Sequence, residues 1–226
     1  RPGRDVWAEI WPEIGPQVDA VLSGKGGVWA VNRLVPISRN GRELEDVYWT
    51  YSYNPIHDES AAGSIGGVLV VCDDTTEHVL EARRRETLAA IKDRLSDISD
   101  PALICLEASR VLGEALGTAR VGYGLLDAKT RSIAVEGAWS ASGYPEVRGT
   151  YAFSDYGDHI DELLRGVSVV NEDVEKDART RDAIAAFQAL GIASHVDIPI
   201  VENGRVVASM FVHGRTAHRW TPGEVA

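Results

Sequence analysis

Residues 74–100, DTTEHVLEARRRETLAAIKDRLSDISD, separate two strand-rich regions and decide how the chain is organised. Asp74 is a good helix N-cap, and Glu77 three residues later completes a capping box. No glycine or proline interrupts the run before Pro101. The sequence therefore predicts one long exposed helix that begins at Asp74 and ends at Asp100.

A narrow apolar seam follows one side of this predicted helix. Leu88, Ile91, Leu95 and Ile98 recur at spacings of three and four residues, which is the pattern of a coiled-coil interface. An ordinary surface helix packed on one domain is the alternative interpretation. We expect a helical connector that joins two domains and pairs with its own copy in a homodimer.

Composition limits the classes of partner. The 226 residues are 44% hydrophobic and 25% charged, as in ordinary globular proteins. A net charge of −11 argues against nucleic acid or an anionic membrane as a partner. No apolar run reaches the roughly 18 residues needed to span a bilayer, and no signal peptide is visible. Cys72 and Cys105 lie far apart in apolar stretches, which predicts two buried thiols in a reducing cytoplasm.

The region before the connector has the pattern of a helix followed by three strands. Apolar spacing predicts a helix over residues 6–22, which Pro12 and Pro16 make irregular or break in two. Asn40-Gly41 is a strong hairpin signal. The strands are predicted at residues 28–37, 46–56 and 65–72.

This order resembles the C-terminal two-thirds of a PAS domain. The matching stretches are residues 1–14 (RPGRDVWAEIWPEI), 48–59 (YWTYSYNPIHDE) and 66–77 (GGVLVVCDDTTE). The resemblance covers residues 1–80 and lacks the first two strands and the small helices that build the family's ligand cavity. No ligand is assigned to this region. An earlier part of the parent protein or another chain is expected to cover the open sheet edge.

The region after the connector begins with a second helix. Asp100 caps it, Pro101 takes its first position and Gly117 ends it. Its buried stripe is predicted to comprise Ile104, Ala108, Val111, Leu112 and Ala115. Strands are then predicted at residues 120–126, 131–139, 167–171, 195–201 and 205–213. Helices are predicted at residues 158–165 and 181–190.

This second order resembles a GAF domain. The matching stretches are LLDAKTRSIAVEGAW (125–139), LLRGVSVVNEDVEKDARTRD (163–182), ALGIASHVDIPIVENGRVVASMFVHG (189–214) and RWTPGE (219–224). The two resemblances together imply an α+β fold in which an antiparallel PAS sheet is joined by a long helix to a GAF domain. The expected divisions are a partial PAS domain at 1–80, a connector at 81–100, a GAF domain at 101–220 and the start of an output helix at 221–226.

The GAF resemblance implies that a small ligand, when present, lies between the sheet and the segments that follow the second strand. Strand alternation places His195 and Asp197 on one face, opposite Val196 and Ile198. An alternative is that the polar residues there only satisfy the surface or the core, since many GAF domains bind nothing. The candidate ligand-binding residues are Tyr151, Asp155, Tyr156, His159, Asp173, His195 and His213.

Specific GAF chemistries make demands that this sequence does not meet. A covalently attached bilin needs a cysteine beside the pocket, and residues 151–161 contain His159 but no cysteine. GAF enzymes that reduce free methionine sulfoxide need several pocket cysteines, whereas this region has only Cys105. Cyclic-nucleotide binding stays open. No catalytic residue, cofactor or metal ligand is assigned.

A PAS–GAF pair flanked by helices resembles the sensory part of bacterial signal-transduction proteins. The tail RWTPGE is most similar to GAF modules that precede a sensor histidine kinase of a two-component system. Thr221-Pro222-Gly223-Glu224 is the beginning of a helix, so we expect a middle segment of a longer cytoplasmic protein with an output domain beyond Ala226. The alternatives are a cyclic-dinucleotide enzyme, a transcription regulator or a dimerisation module that senses nothing.

Overall fold

The computed structural model describes residues 2–38, 44–60, 64–157 and 159–225. The chain divides into two compact units, Arg1–Arg84 and Arg85–Ala226. Both combine helices with antiparallel sheets, which confirms the α+β class. None of the helices in the described ranges is both long and apolar enough to cross a membrane.

The first unit contains two N-terminal helices and a three-stranded antiparallel sheet. Its helices are α1 (Gly3–Val6) and α2 (Trp11–Leu22), and its strands are β1 (Val28–Leu34), β2 (Ile37–Ser38), β3 (Leu44–Glu45), β4 (Tyr48–His57) and β5 (Ile65–Asp74). The sheet has the order β1-β4-β5, and β2 pairs separately with β3. The predicted turn at Asn40-Gly41 lies outside the described residues.

Local chemistry explains the helix break in the first unit. The chain between α1 and α2 is not helical, and Pro12 occupies the first turn of α2, where its missing N–H has no helical acceptor to lose. Pro16 lies inside α2 without ending it, so the predicted helix over 6–22 is a single helix that begins only at Trp11. The side of α2 that carries Val21 packs on Tyr51 and Tyr53 of β4.

The predicted burial of Cys72 is wrong. Its side chain is exposed because β5 is an edge strand, and the core of the first unit covers that strand only around Val68. Cys105, in the second unit, is partly buried.

The connector helix α3 spans Thr76–Leu95 and is shorter than predicted. Its first turn is fixed by the Asp74 carboxylate, which accepts hydrogen bonds from the backbone N–H and the hydroxyl of Thr76 at 3.0 and 2.6 Å. It ends at Leu95, and no helix can run through Asp100, which takes an extended conformation ahead of Pro101 (φ −78°, ψ 117°). The predicted single helix to Asp100 is therefore wrong.

The second unit is a six-stranded antiparallel sheet with helices on both faces. The strand order is β8-β7-β6-β11-β10-β9. Its elements are α4 (Pro101–Leu116), β6 (Arg120–Asp127), β7 (Ser132–Ser140), β8 (Gly149–Ala152), α5 (Ile160–Leu164), β9 (Val169–Asn171), α6 (Ile184–Ala189), β10 (Ser194–Glu202), β11 (Arg205–Gly214) and α7 (Pro222–Val225). The edge strand β8 was not predicted.

Helix α4 has the predicted caps and a partly different buried side. The Asp100 carboxylate accepts the Ala102 N–H at 2.9 Å, and Gly117 ends the helix with φ +62°. Ala115 is exposed, so its predicted place in the buried stripe is wrong, and Leu116 packs against the core instead. Gly113 is buried, and it lies so close to Trp139 that a Cβ at this position would overlap the indole ring.

The two faces of the large sheet bury different residues. One face carries Val121, Val196 and Val212, which pack with Trp220 and with Leu112 of α4. The other face is covered by the segment that contains α5 and α6. The candidate site lies on this second face.

Candidate functional site

A cavity of about 70 Å³ lies on the second face of the sheet, beneath the segment that carries α5 and α6. Most of its wall is aliphatic or aromatic. The side chains with polar atoms in its lining are Tyr151, Tyr156, His159, His195, Asp197 and His213. Three histidines and one carboxylate therefore meet in a space about the size of two water molecules.

The structure gathers five of the seven candidate residues around this cavity, and leaves two outside it. Asp155 is exposed because the 3₁₀ turn Phe153–Asp155 directs Phe153 into the core and Asp155 to the surface. Asp173 pairs with Lys176 at 2.9 Å and accepts the backbone N–H of Glu175. Neither aspartate lines the cavity.

Strand alternation places His195 and Asp197 side by side on the cavity face of the sheet. His195 and Asp197 of β10 face the cavity, whereas Val196 and Ile198 face the α4 side, which confirms the predicted alternation. The antiparallel register places His213 of β11 directly opposite His195.

This register continues into a line of polar residues that crosses five strands. We call it the polar row, and it consists of Ser140, Arg120, His213, His195 and Asn171, each opposite the next. Arg120 is completely buried. The sequence contains no signal for its role, because the pairing of Arg120 with His213 joins residues 93 positions apart.

Arg120 fixes the proton position on His213. Its Nη1 lies 3.1 Å from Nδ1 of His213, and a guanidinium can only donate, so Nδ1 accepts and the proton of the ring is on Nε2. Burial, together with the positive charge of Arg120, lowers the pKa of His213 to about 3, against an opposing attraction by Asp197. His213 is therefore a neutral donor at the cavity.

The remaining Arg120 nitrogens are bound behind the cavity. Nε donates to Oγ of Ser140 at 3.3 Å, and Nη2 donates to the carbonyl oxygens of Pro145 and Leu190. The guanidinium also lies over the ring of Tyr144, 4.6 Å from its centroid. Arg120 itself does not line the cavity.

Asp197 fixes the proton position on His195. Its Oδ2 lies 2.7 Å from Nδ1 of His195. Burial alone would raise the pKa of Asp197, but the attraction of His195 and this hydrogen bond outweigh it and lower the pKa. The ionised carboxylate accepts Nδ1–H, so Nε2 is the ring nitrogen of His195 that is left without a partner in the described ranges.

Two buried ring nitrogens have no hydrogen-bond partner within the described ranges: Nε2 of His195 and Nδ1 of His159. The two rings are 5.4 Å apart, and the residues are 2% and 4% exposed. Burial lowers the pKa of His159, against the attraction of Asp197. A buried polar atom without a partner is costly, so each nitrogen favours an additional hydrogen-bonding molecule.

Aromatic stacking holds the histidines in place. Phe187 of α6 stacks on His195 with centroids 5.4 Å apart, and Phe211 stacks on His213 at 4.8 Å. Phe211 can lie against the sheet because its cross-strand partner is Gly122, where a Cβ would stand 2.7 Å from the Phe211 ring.

One arginine fastens the cover over the cavity. Arg179 donates from Nη1 to the Glu162 carboxylate at 3.2 Å, from Nε to Asp177 at 3.1 Å and from Nη2 to the carbonyl oxygen of Val170 at 2.8 Å. These bonds tie α5, β9 and the following loop together. The segment that covers the histidines is therefore cross-linked by the hydrogen bonds of Arg179.

The first unit has a larger cavity of about 310 Å³, lined in part by Trp7, Trp49, Tyr51, Tyr53 and Cys72. No buried side-chain nitrogen or oxygen in the described part of this unit lacks a partner. No group of three metal-ligating side chains is found anywhere in the described ranges. The smaller cavity is therefore the stronger candidate for specific recognition.

The comparisons with known proteins identify the second unit. The GAF domain family profile matches residues 100–226. Curated protein sequences give no match.

Solved structures share the fold at low sequence identity. A free methionine-R-sulfoxide reductase from Neisseria meningitidis matches at a TM-score of 0.50 with 19% identity, over 62% of this chain and 78% of that one. A phycoerythrobilin-bound GAF domain of a cyanobacterial phytochrome matches at 0.52 with 17% identity, over 64% and 88%. The chromophore-binding domain of a bacteriophytochrome from R. palustris matches at 0.51 with 15% identity, over 79% and 69%.

At these identities the structural likeness shows the fold alone. The family match covers more than half of the chain and extends from the cap of α4 to α7. The polar row and the cavity lie within it. Through residues 100–226, this chain belongs to the GAF domain family.

Proposed function

We propose that this chain is a sensory PAS–GAF segment of a signal-transduction protein, and that its GAF unit binds a small molecule in the cavity. The observation that carries the proposal is that two residues lining the cavity, His159 and His195, each keep a buried ring nitrogen without a hydrogen-bond partner in the described ranges. Tyr151, Tyr156 and His213 complete the polar part of the proposed binding site.

The known ligands of structurally similar proteins fit this cavity poorly. A tetrapyrrole is much larger than about 70 Å³, and neither Cys72 nor Cys105 lines the cavity to anchor one. Sulfoxide reduction would need reactive thiols beside the substrate, and the same two cysteines are the only ones in the chain. Binding of a different, smaller molecule is the function that the geometry supports best.

The two helices at the ends of the GAF unit would carry the signal. Helix α3 enters the unit and α7 leaves it, and α7 begins with a reciprocal cap in which Thr221 N–H and Glu224 share a hydrogen bond of 2.7 Å. We propose a partial PAS domain at 1–80, a connector at 81–100, the GAF domain at 101–220 and the beginning of an output helix at 221–226.

A ligand acts on such a relay only if it binds two conformations of the GAF unit with different affinity. The proposed parent is a sensor histidine kinase that works as a homodimer, with the α3 seam as one contact between copies. A cyclic-dinucleotide enzyme or a transcription regulator would use the same module, and a dimerisation module would use the seam without a ligand.

Ligand screening on the whole chain tests the sensing function. A ligand at 100 times its Kd should add about 2.7 kcal/mol to the free energy of unfolding, and it should shift NMR signals of α3 and α7 as well as those of the cavity. His195→Phe keeps the ring stack on Phe187 and removes Nε2, so it should abolish both effects. Ligands that bind in the cavity and leave both helices unchanged would contradict the sensory role.

A further inference from the structure

The hydrogen-bond polarity of the cavity is set by residues around it. His213 offers Nε2–H because Arg120 occupies its Nδ1. Asp197 holds the Nδ1 proton of His195, so the uncharged ring offers a lone pair at Nε2. His213 therefore supplies a hydrogen-bond donor and His195 an acceptor. The two residues lie opposite each other on adjacent strands.

Arg120 and Asp197 bring opposite charges to the surroundings of the cavity. Arg120 is completely buried, and the Asp197 side chain is 14% exposed, so both are largely removed from water. A protonated His213 would be attracted by Asp197 and repelled by Arg120. A charged guest would add an uncompensated charge to a desolvated site, which is strongly unfavourable.

The volume limits the size of the guest. A cavity of about 150 Å³ admits benzene with its six carbon atoms. About 70 Å³ corresponds by proportion to roughly three non-hydrogen atoms. The stacked rings of Phe187 and Phe211 leave the rest of the wall apolar.

We infer that the cavity takes a small uncharged molecule that donates an N–H or O–H to His195 and accepts from His213. This inference rests on the proposed sensory function, whose ligand it assigns to a chemical class. Carboxylates, ammonium-type cations and uncharged molecules without a donor are rejected. His159 supplies a second unpartnered nitrogen for the same guest.

Three probes of the same shape and three non-hydrogen atoms separate these possibilities: formamide, formate and formamidinium. Each is titrated into the whole chain while the ring signals of His159, His195 and His213 are followed by NMR. Such small ligands bind in the millimolar range at best. Formamide should bind at least about tenfold more tightly than either ion. Equal or tighter binding of an ion overturns the inference, and so does a failure of formamide to bind.

A charge variant tests the balance directly. Asp197→Asn leaves the charge of Arg120 without compensation, so the preference should move towards formate by about tenfold or more. Asp182→Asn, on the exposed surface, should leave all three affinities unchanged. An Asp197→Asn chain that folds and still prefers formamide by the original factor overturns the inference, and the wild-type series decides it alone if that variant does not fold.

The outcome for the inference is separable from the outcome for the sensory function. Formamide binding without any response of α3 or α7 supports the ligand class and counts against sensing. A charged or larger ligand that binds in the cavity and moves both helices supports sensing and overturns the ligand class.

Discussion

At the residue scale, Arg120 has an unusual environment because it brings a full charge into the interior of a small sheet. Within the described ranges it forms no ion pair, and its acceptors are a hydroxyl, two carbonyl oxygens and one imidazole nitrogen. Each neutral acceptor recovers only part of the lost hydration. Burial accordingly lowers the pKa of Arg120. The cluster is stabilised as a network and is expected to respond as one.

The histidines predict how stability depends on pH. The pKa of His213 and that of His159 are lowered in the folded protein, so the unfolded chain binds protons more readily. Stability should be complete above about pH 6.5 and should fall on acidification, by about 1.4 kcal/mol per pH unit for His213, with His159 acting in the same direction. Carboxylates contribute mainly below about pH 4. Urea unfolding of the second unit, followed through the Val121 and Val212 signals between these limits, measures the slope.

A matched pair of variants checks the source of that slope. His213→Gln removes the proton that this histidine takes up on unfolding, so the slope should fall by about 1.4 kcal/mol per pH unit. His57→Gln, on the exposed surface of the first unit, should leave it unchanged. A pH-independent midpoint in the wild-type chain would show that these histidines are not held neutral by the fold.

At the scale of single elements, the contact between α4 and the sheet depends on an absent side chain. Gly113 lies against Trp139 of β7, and a Cβ at this position would overlap the indole ring. Alanine normally stabilises a helix interior by about 1 kcal/mol relative to glycine. Here the overlap forces the helix or the ring to move, which typically costs about 1–3 kcal/mol.

Gly113→Ala should therefore destabilise the second unit by up to roughly 2 kcal/mol in urea unfolding, against its helix propensity. Gly137→Ala is the control, because a Cβ at Gly137 meets nothing within 4 Å. This second change should lie within about 0.5 kcal/mol of the wild type. Stabilisation by Gly113→Ala would mean that α4 does not pack closely on β7.

Elements whose signals are local could be predicted from the sequence. Alternation in β10 correctly placed His195 and Asp197 on one face, and Asp100 and Gly117 correctly marked the ends of α4. Residues whose roles depend on pairing could not be predicted. Arg120 acquires its role from its register with β11, and the four-residue strand β8 exists only as an addition to β7.

The site shows the same limit. Residue type and approximate position alone select His159, His195 and His213, but they select Asp155 and Asp173 as well. Only the backbone geometry of the turn at Phe153–Asp155 directs Asp155 away from the cavity. Ala115 was misplaced because α4 packs with Gly113 and Leu116 towards the core, a rotation that apolar spacing alone does not specify.

At the scale of the whole molecule, the two units are joined by a helix whose apolar seam is largely uncovered. Leu88 is 57% exposed, and Ile91 and Leu95 are only partly buried, whereas Ile98 of the predicted seam lies beyond the end of α3. This exposure fits the proposed contact with a second copy. Neither the homodimer nor the output domain is part of the described chain, and both stay proposals.

Leu95→Asp should weaken self-association, because it places a charge in the proposed seam. Light scattering over a range of protein concentrations measures the effect. Ala90→Asp, which introduces the same charge on the opposite side of α3, is the control and should leave the association constant unchanged. Equal association of both variants would remove the seam from the proposed interface.

The contact between Arg120 and His213 has a consequence for how this domain can change over time. The guanidinium stands behind the wall, out of reach of any guest, yet it decides which atom the wall presents. A glutamine in its place could donate or accept. His213 could then carry its proton on Nδ1 and present a lone pair at Nε2. A domain altered only at this position would present a different hydrogen-bonding atom to its cavity while every surface that lines the cavity keeps its shape.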